Sequence, residues 1–207
     1  MSRIDEERHF WDKFAKKYDR FMERVAHDYP AIIERIAKEI RPGDRVLEVA
    51  CGTGVISLEL AVHAGRMEGT DISEPMLAEA RRKAGERGLS NIEFSQGDAC
   101  ELQFADKSFD LVVCANALHI MQLPQEALRE IHRVLKPGGQ LIAPTYLHGQ
   151  TLRSHLVSRF MSLFGFRAYH RFNKESLLAL IGEAGFRDAT IALYPAAIPL
   201  AYLAASR

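Results

Sequence analysis

Short β-branched runs alternate with segments of helical periodicity along most of the chain, an order that predicts a parallel sheet covered by helices. Arg45–Val49 (RVLEV) reads as the first strand and residues 55–63 as the helix after it. Arg66–Asp71 is a weaker second strand. The helix expected over residues 74–87 has Ser73 as its N-cap and Pro75 in its first turn. Residues 91–96 (NIEFSQ) give a third strand, and residues 109–115 (FDLVVCA) a fourth, apolar enough for the middle of the sheet. A helix over 124–135 leads to a turn at Lys136-Pro137-Gly138-Gly139 and a fifth strand over 140–147. Residues 150–172 break the alternation as a helical and aromatic insertion. A helix over 174–184 closes on Gly185 at C′, and Arg187–Tyr194 and residues 198–206 are expected to pair antiparallel at the sheet edge. An amphipathic helix over 6–26 and a second helix over 31–40 precede the first strand. The organisation expected is a helical lid (1–40) and a main domain (41–207) carrying a cap insertion (150–172).

Composition narrows the partners. A chain of 207 residues suits one domain, and 47% hydrophobic with 26% charged residues is ordinary for a globular protein. Lys plus Arg and Asp plus Glu are each 27, so the basic excess of a duplex nucleic-acid binder is missing and no nucleic-acid partner is expected. Cys51, Cys100 and Cys114 form no CxxC and no close cluster with His, so no metal site is expected and a reducing, cytoplasmic setting fits. The opening MSRIDEERHFWDKF has no apolar signal core. The most apolar stretch, 196–205, is about half the length of a membrane-spanning helix, which leaves only peripheral membrane contact open. Oligomeric state is not marked in the sequence.

The segment Val46-Leu47-Glu48-Val49-Ala50-Cys51-Gly52-Thr53-Gly54 is a strand, a glycine turn and a helix start. Such a turn lets backbone approach a ligand and leaves N–H groups free. Two residues narrow the ligand. Ser57 stands where a dinucleotide-binding G-x-G-x-x-G has its third glycine, and Glu48 puts a carboxylate where a diphosphate would rest. An acid there repels a diphosphate and attracts a cationic amino-acid end, as in S-adenosylmethionine, directly or through water; the alternative is a polar strand-end residue. Asp71, at the end of the second strand, suits ribose hydroxyls or caps the next helix. Asp98, after the third strand, suits an adenine amino group or is a solvated turn residue.

With those motifs in place, the sequence resembles the class I methyltransferase superfamily. VLEVACGTG resembles its glycine-rich motif, GTDIS with PML its second-strand acid and helix entry, GDACELQFADKSFDLVVCANALH the stretch through the fourth strand, and LKPGG the turn before the fifth. The nearest flavour is the branch with quinone C-methyltransferases and phospholipid N-methyltransferases. The resemblance implies an α/β, Rossmann-like fold: a seven-stranded mostly parallel sheet with an antiparallel edge and helices on both faces. It also implies an S-adenosylmethionine-dependent enzyme acting on a small molecule or lipid headgroup. The cofactor contacts expected are Tyr18, Glu48, Ala50, Gly52, Thr53, Gly54, Asp71, Ile72, Met76, Asp98, Ala99 and Asn116; similar enzymes often have Asp for Glu48 and Gly for Ala50.

Methyl transfer from a sulfonium needs positioning more than covalent help, and a general base only for an acceptor of high pKa. The catalytic candidates are His119, as a base or as a structural histidine, and Tyr18, whose ring would lie over the sulfonium. Alternatively, Tyr18 belongs to an apolar stripe of Phe10, Trp11, Phe14, Phe21 and Val25. The segment 152–172, with Arg153, His155, Arg159, Arg167, His170 and Arg171 among apolar residues, would cap an apolar or anionic acceptor, face a lipid surface, or simply be a solvated helix. Two other functions stay open: an NAD-dependent oxidoreductase and a non-catalytic cofactor-binding module.

Overall fold

The computed structural model describes residues 3–25, 29–162 and 168–207. Its helices are α1 (Arg3–Val25), α2 (Tyr29–Ala37), α3 (Ser57–Leu60), α4 (Glu74–Glu86), α5 (Pro124–Val134), α6 (Leu152–Ser162) and α7 (Lys174–Glu183). Its strands are β1 (Arg45–Val49), β2 (Arg66–Asp71), β3 (Ile92–Gln96), β4 (Phe109–Val113), β5 (Leu135–Ile142), β6 (Thr145–Tyr146), β7 (Arg187–Tyr194) and β8 (Leu200–Ser206). Ala26 of the expected N-terminal helix, residues 163–167 of the expected cap with Arg167 among them, and the side chains of Phe21 and Val25 lie outside the described residues.

One mostly parallel sheet runs β3-β2-β1-β4-β5-β8-β6, with β7 added on β8. The pairs β2·β3, β1·β2, β1·β4 and β4·β5 are parallel, and β8 runs antiparallel to β5, β6 and β7. Alternate side chains of the central strands feed two cores. Leu47, Val49, Val112 and Leu141 pack with Leu128 and Ile131 of α5 and Leu177 and Ile181 of α7. Val46, Leu111, Val113 and Ile142 pack with Ile32 and Ile36 of α2 and Leu58 and Leu60 of α3 on the other face. Strands buried on both faces read as continuous apolar runs, which is why β1 and β4 stand out in the sequence.

Three expectations shift. The fifth strand splits after Ile142, because Pro144 has no N–H for the ladder, so eight strands stand where seven were expected. Lys136–Gly139 is not a free turn but lies inside β5, opposite a register shift between Phe109 and Leu111; Gly138 keeps the positive φ (77°) expected of it. The helix over 55–63 contracts to α3. The caps behave as expected: Ser73 Oγ accepts from Met76 N at 3.4 Å, and Gly185 follows α7 at φ 95°.

Candidate functional site

Parallel pairing brings the C-terminal ends of β1 to β4 to one edge, where an open α/β sheet forms its ligand crevice. A cleft lies there, with about 780 Å³ of open space, part of it merging with solvent. Small-molecule sites generally fall between about 300 and 1,000 Å³. The floor comes from the strand ends: Ala50 and Gly52 after β1, Asp71 closing β2 and Ile72 after it, Asp98 and Ala99 after β3, and Asn116 after β4. Met76 of α4 and Tyr18 of α1 also line it.

The loop after β1 is a run of left-handed residues, Ala50 (φ 56°), Gly52 (54°) and Gly54 (74°). The tyrosine ring of α1 lies against it: a Cβ on Gly52 would stand 3.5 Å from Tyr18 Cε1. Asp71 ties this loop to the next, its Oδ2 accepting from Gly52 N at 2.8 Å and its Oδ1 from Ser73 N at 2.9 Å. Burial pushes the Asp71 carboxyl up, and those N–H groups pull it back.

Glu48 and Ser57, which entered the sequence argument separately, form one pair. The Ser57 hydroxyl donates to Glu48 Oε2 beneath the loop. The serine thus fills the space where a dinucleotide-binding turn uses glycine for close helix approach. Glu48 is buried, does not line the cleft, and is pushed up to about 8 by its burial. The expected direct contact with a ligand is therefore corrected. Glu48 sits behind the loop, where burial favours its protonated form.

Thr53 and Gly54 also stand behind the lining. The Thr53 hydroxyl donates to Asp19 of α1, and Gly54 packs against Ala80, Phe94 and Leu58. Asp98 is engaged on both oxygens, by Cys100 N at 2.9 Å and by the Arg3 guanidinium. For His119 the placement fits the structural alternative. Its ring is buried outside the cleft, 4.9 Å from the His148 ring, with Nδ1 3.1 Å from Thr145 Oγ1. Burial drives it down to about 3, so it is neutral and weakly basic. A base role does not fit that placement.

The sequence reading missed most of what α1 contributes. Arg3, Glu7, Trp11 and Tyr18 all line the cleft, at steps of four, four and seven, so they share one helix face. That spacing was the available signal; the aromatic stripe drew attention to Tyr18 alone. Carboxylates on α1 bolt it to the loops beneath: Glu7 accepts from Gln122 N at 3.2 Å, Asp12 from Ser73 Oγ at 2.7 Å, and Asp19 from Thr53 and from Lys83 Nζ at 2.7 Å. Cys100, Ile120 and Met121 complete the wall. The described residues contain no group of three or more His, Cys, Asp or Glu suited to a metal, and no helix among them is long and apolar enough to cross a membrane.

A glycine cradle closed by an aromatic ring, with carboxyls beneath and beside it, fits an adenosyl ligand that carries a positively charged amino-acid end. Comparison with known proteins agrees. Residues 46–139 match the family described as Methyltransferase domain. The chain is 30% identical over 187 residues to a demethylmenaquinone methyltransferase of Alkalihalophilus pseudofirmus, covering 80% of this chain and 79% of that one. It is 31% identical over 212 residues to a ubiquinone/menaquinone biosynthesis C-methyltransferase, UbiE, of Ruegeria sp., covering 86% and 82%. Among solved structures it is similar to Haemonchus contortus phosphoethanolamine N-methyltransferase 2 in complex with phosphomonomethylethanolamine and S-adenosylhomocysteine, with 27% identity, a TM-score of 0.67, and 79% of this chain matched to 38% of that one. With relatives matched over about four-fifths of their length, this chain belongs to the class I S-adenosylmethionine-dependent methyltransferases.

Proposed function

We propose that this methyltransferase acts on an electron-rich small molecule of the quinol class, by in-line displacement at the mouth of the α1-covered cleft. The observation that carries this reading is the make-up of the cleft lining, which among the described residues contains no histidine and holds its carboxylates on backbone N–H groups. Each carboxylate that lines the cleft already accepts a backbone N–H: Glu7 from Gln122, Asp71 from Gly52 and Ser73, Asp98 from Cys100. Burial keeps the Tyr18 phenol protonated and pushes the Cys100 thiol up to about 11. Such a cleft suits an acceptor that brings its own nucleophilicity, as the ring carbon beside a quinol hydroxyl does. The two quinone methyltransferases among the relatives support the same class.

When bound, S-adenosylmethionine supplies a methyl group on a positively charged sulfur. In this reading Asp71 accepts from the ribose hydroxyls and Asp98 from the adenine amino group; an ionised carboxylate has about four lone-pair sites, so each can do so beside its backbone N–H. Ala50, Gly52, Ile72, Met76 and Ala99 shape the bed. Glu48 offsets the ligand's positive charge from below. The ring proton lost on methylation leaves to solvent. The three free cysteines suit a cytoplasmic setting. Leu152 and Leu156, exposed one turn apart on α6 beside Arg153, suit peripheral contact with an anionic bilayer holding an apolar acceptor. Binding to phosphatidylglycerol vesicles should be lost on replacing both leucines by glutamate.

The direct test offers S-adenosylmethionine with either a demethylated naphthoquinol or phosphoethanolamine and measures S-adenosylhomocysteine release. Turnover with the quinol is expected; turnover with phosphoethanolamine alone contradicts the assignment. Tyr18→Ala should lower turnover about tenfold or more through loss of the ring over the sulfonium, while Tyr18→Phe retains most of it. Equal fractional losses of activity and thermal stability in the alanine variant would instead assign Tyr18 to packing.

A further inference from the structure

Asn116 is held more firmly than a loop residue needs to be. It takes φ 52°, a left-handed conformation that Asn tolerates better than most residues yet still at a cost. Its backbone N–H donates to Pro144 O at 2.7 Å, so the peptide is anchored on the broken fifth strand. Its amide nitrogen donates to the Tyr29 hydroxyl. Tyr29 is itself buried at the start of α2, a helix fixed by Ile32 and Ile36 in the core. Burial keeps its phenol protonated. The amide oxygen, Oδ1, is buried and has no hydrogen-bond partner among the described residues. An acceptor left unsatisfied is costly, and Asn116 forms part of the cleft wall with Tyr18 and Gly52.

We infer that Tyr29 is a positioning residue that orients Asn116 so that its amide oxygen, just beneath the cleft wall, directs the carbonyl dipole at the positive sulfur of the cofactor. The inference rests on the cofactor placement proposed above and extends it to a residue of α2. Three features then surround the same positive charge: the Tyr18 ring, the Asn116 carbonyl dipole and the buried Glu48 carboxyl. The arrangement distinguishes S-adenosylmethionine from its product, because only the former carries charge on sulfur while both share the amino-acid end.

The test compares calorimetric affinities for S-adenosylmethionine and S-adenosylhomocysteine in the wild type, Tyr29→Phe, Asn116→Gly and the double variant. Phenylalanine preserves the ring volume, and glycine suits φ 52°, so both singles should keep the wild-type fold; thermal midpoints check this. Each single variant is expected to weaken S-adenosylmethionine binding about fivefold to tenfold, the scale of a hydrogen bond or dipole acting on a charge, with the product's affinity nearly unchanged. The double variant should be no worse than Asn116→Gly. Equal losses for both ligands would assign the contact to the amino-acid end and overturn the inference. So would unchanged affinities, a Tyr29→Phe effect that persists without the Asn116 amide, or a rise in preference for S-adenosylmethionine, which would mean that the amide presents its NH₂. If the wild type binds neither ligand, the cofactor placement itself fails, a separate result.

Discussion

Gly54→Val is expected to destabilise the protein by roughly 2–5 kcal/mol, from left-handed strain on a β-branched residue plus overpacking, and to remove measurable binding of S-adenosylhomocysteine. Gly54 sits at φ 74°, and a Cβ there would lie 3.2 Å from Ala80 Cβ and Phe94 Cζ and 3.4 Å from Leu58 Cγ. Ala80 and Leu58 are fully packed, so the neighbours can yield little. The glycine loop would be pushed off α4, and with it the Gly52 N–H that Asp71 holds. Gly88→Val is the control. Gly88 has a similar φ of 67°, but a Cβ there would meet nothing within 4 Å, so that variant bears the strain alone. Urea unfolding of the two variants separates the terms, and equal losses would show that packing behind the loop is unimportant.

Asp71→Ala is expected to weaken cofactor binding about tenfold to a hundredfold, or roughly 1–3 kcal/mol, the range for lost hydrogen bonds to a charged group. The carboxylate serves two loops at once, so its removal leaves Gly52 N and Ser73 N without their acceptor in a buried place. Asp71→Asn keeps the volume and one acceptor oxygen but turns its NH₂ onto the other backbone N–H, so it should lose less affinity than the alanine variant yet melt below the wild type. Burial already opposes the charge on Asp71, so stability and affinity should part company in this pair of variants. Unchanged affinity in the alanine variant would remove Asp71 from the site.

The bounds of β1 and β7 are legible in the sequence because each is a β-branched or apolar run between turn residues, and those of β2, a weaker run, from its place between two helical patterns. The fifth strand was harder, since its apolar pattern continues across Pro144 while its ladder does not. The strand-end positions Gly52, Asp71 and Asp98 could be read because each lies at the C-terminal end of its strand or within three residues of it. The roles of Glu48 and Ser57 could be seen only as separate residues, nine apart, until the fold joined them. His119 looked like a cleft residue because its loop faces the cleft. Ile120 N bonds back to Ala117 O there, and the resulting turn directs Asn116 and Ile120 to the cleft and His119 to the interior. Tyr29 had no local signal at all: it meets Asn116 across 87 positions of sequence, through the packing of α2.

The proposed site has a buried acid, Glu48, whose ionisation a cationic ligand would favour. Calorimetric titration of S-adenosylmethionine near pH 7, in buffers of different ionisation enthalpy, tests this most directly. Glu48, pushed up to about 8 by burial, enters protonated, and a cationic ligand favours its ionised form. Binding should therefore release a proton, and affinity should rise between about pH 6 and 7.5, below the range near 8 where an α-amino group loses its own charge. Glu48→Gln should abolish both effects. A wild-type titration with no proton release and a flat affinity over that range, or tighter binding of NADH than of S-adenosylmethionine, would contradict the account.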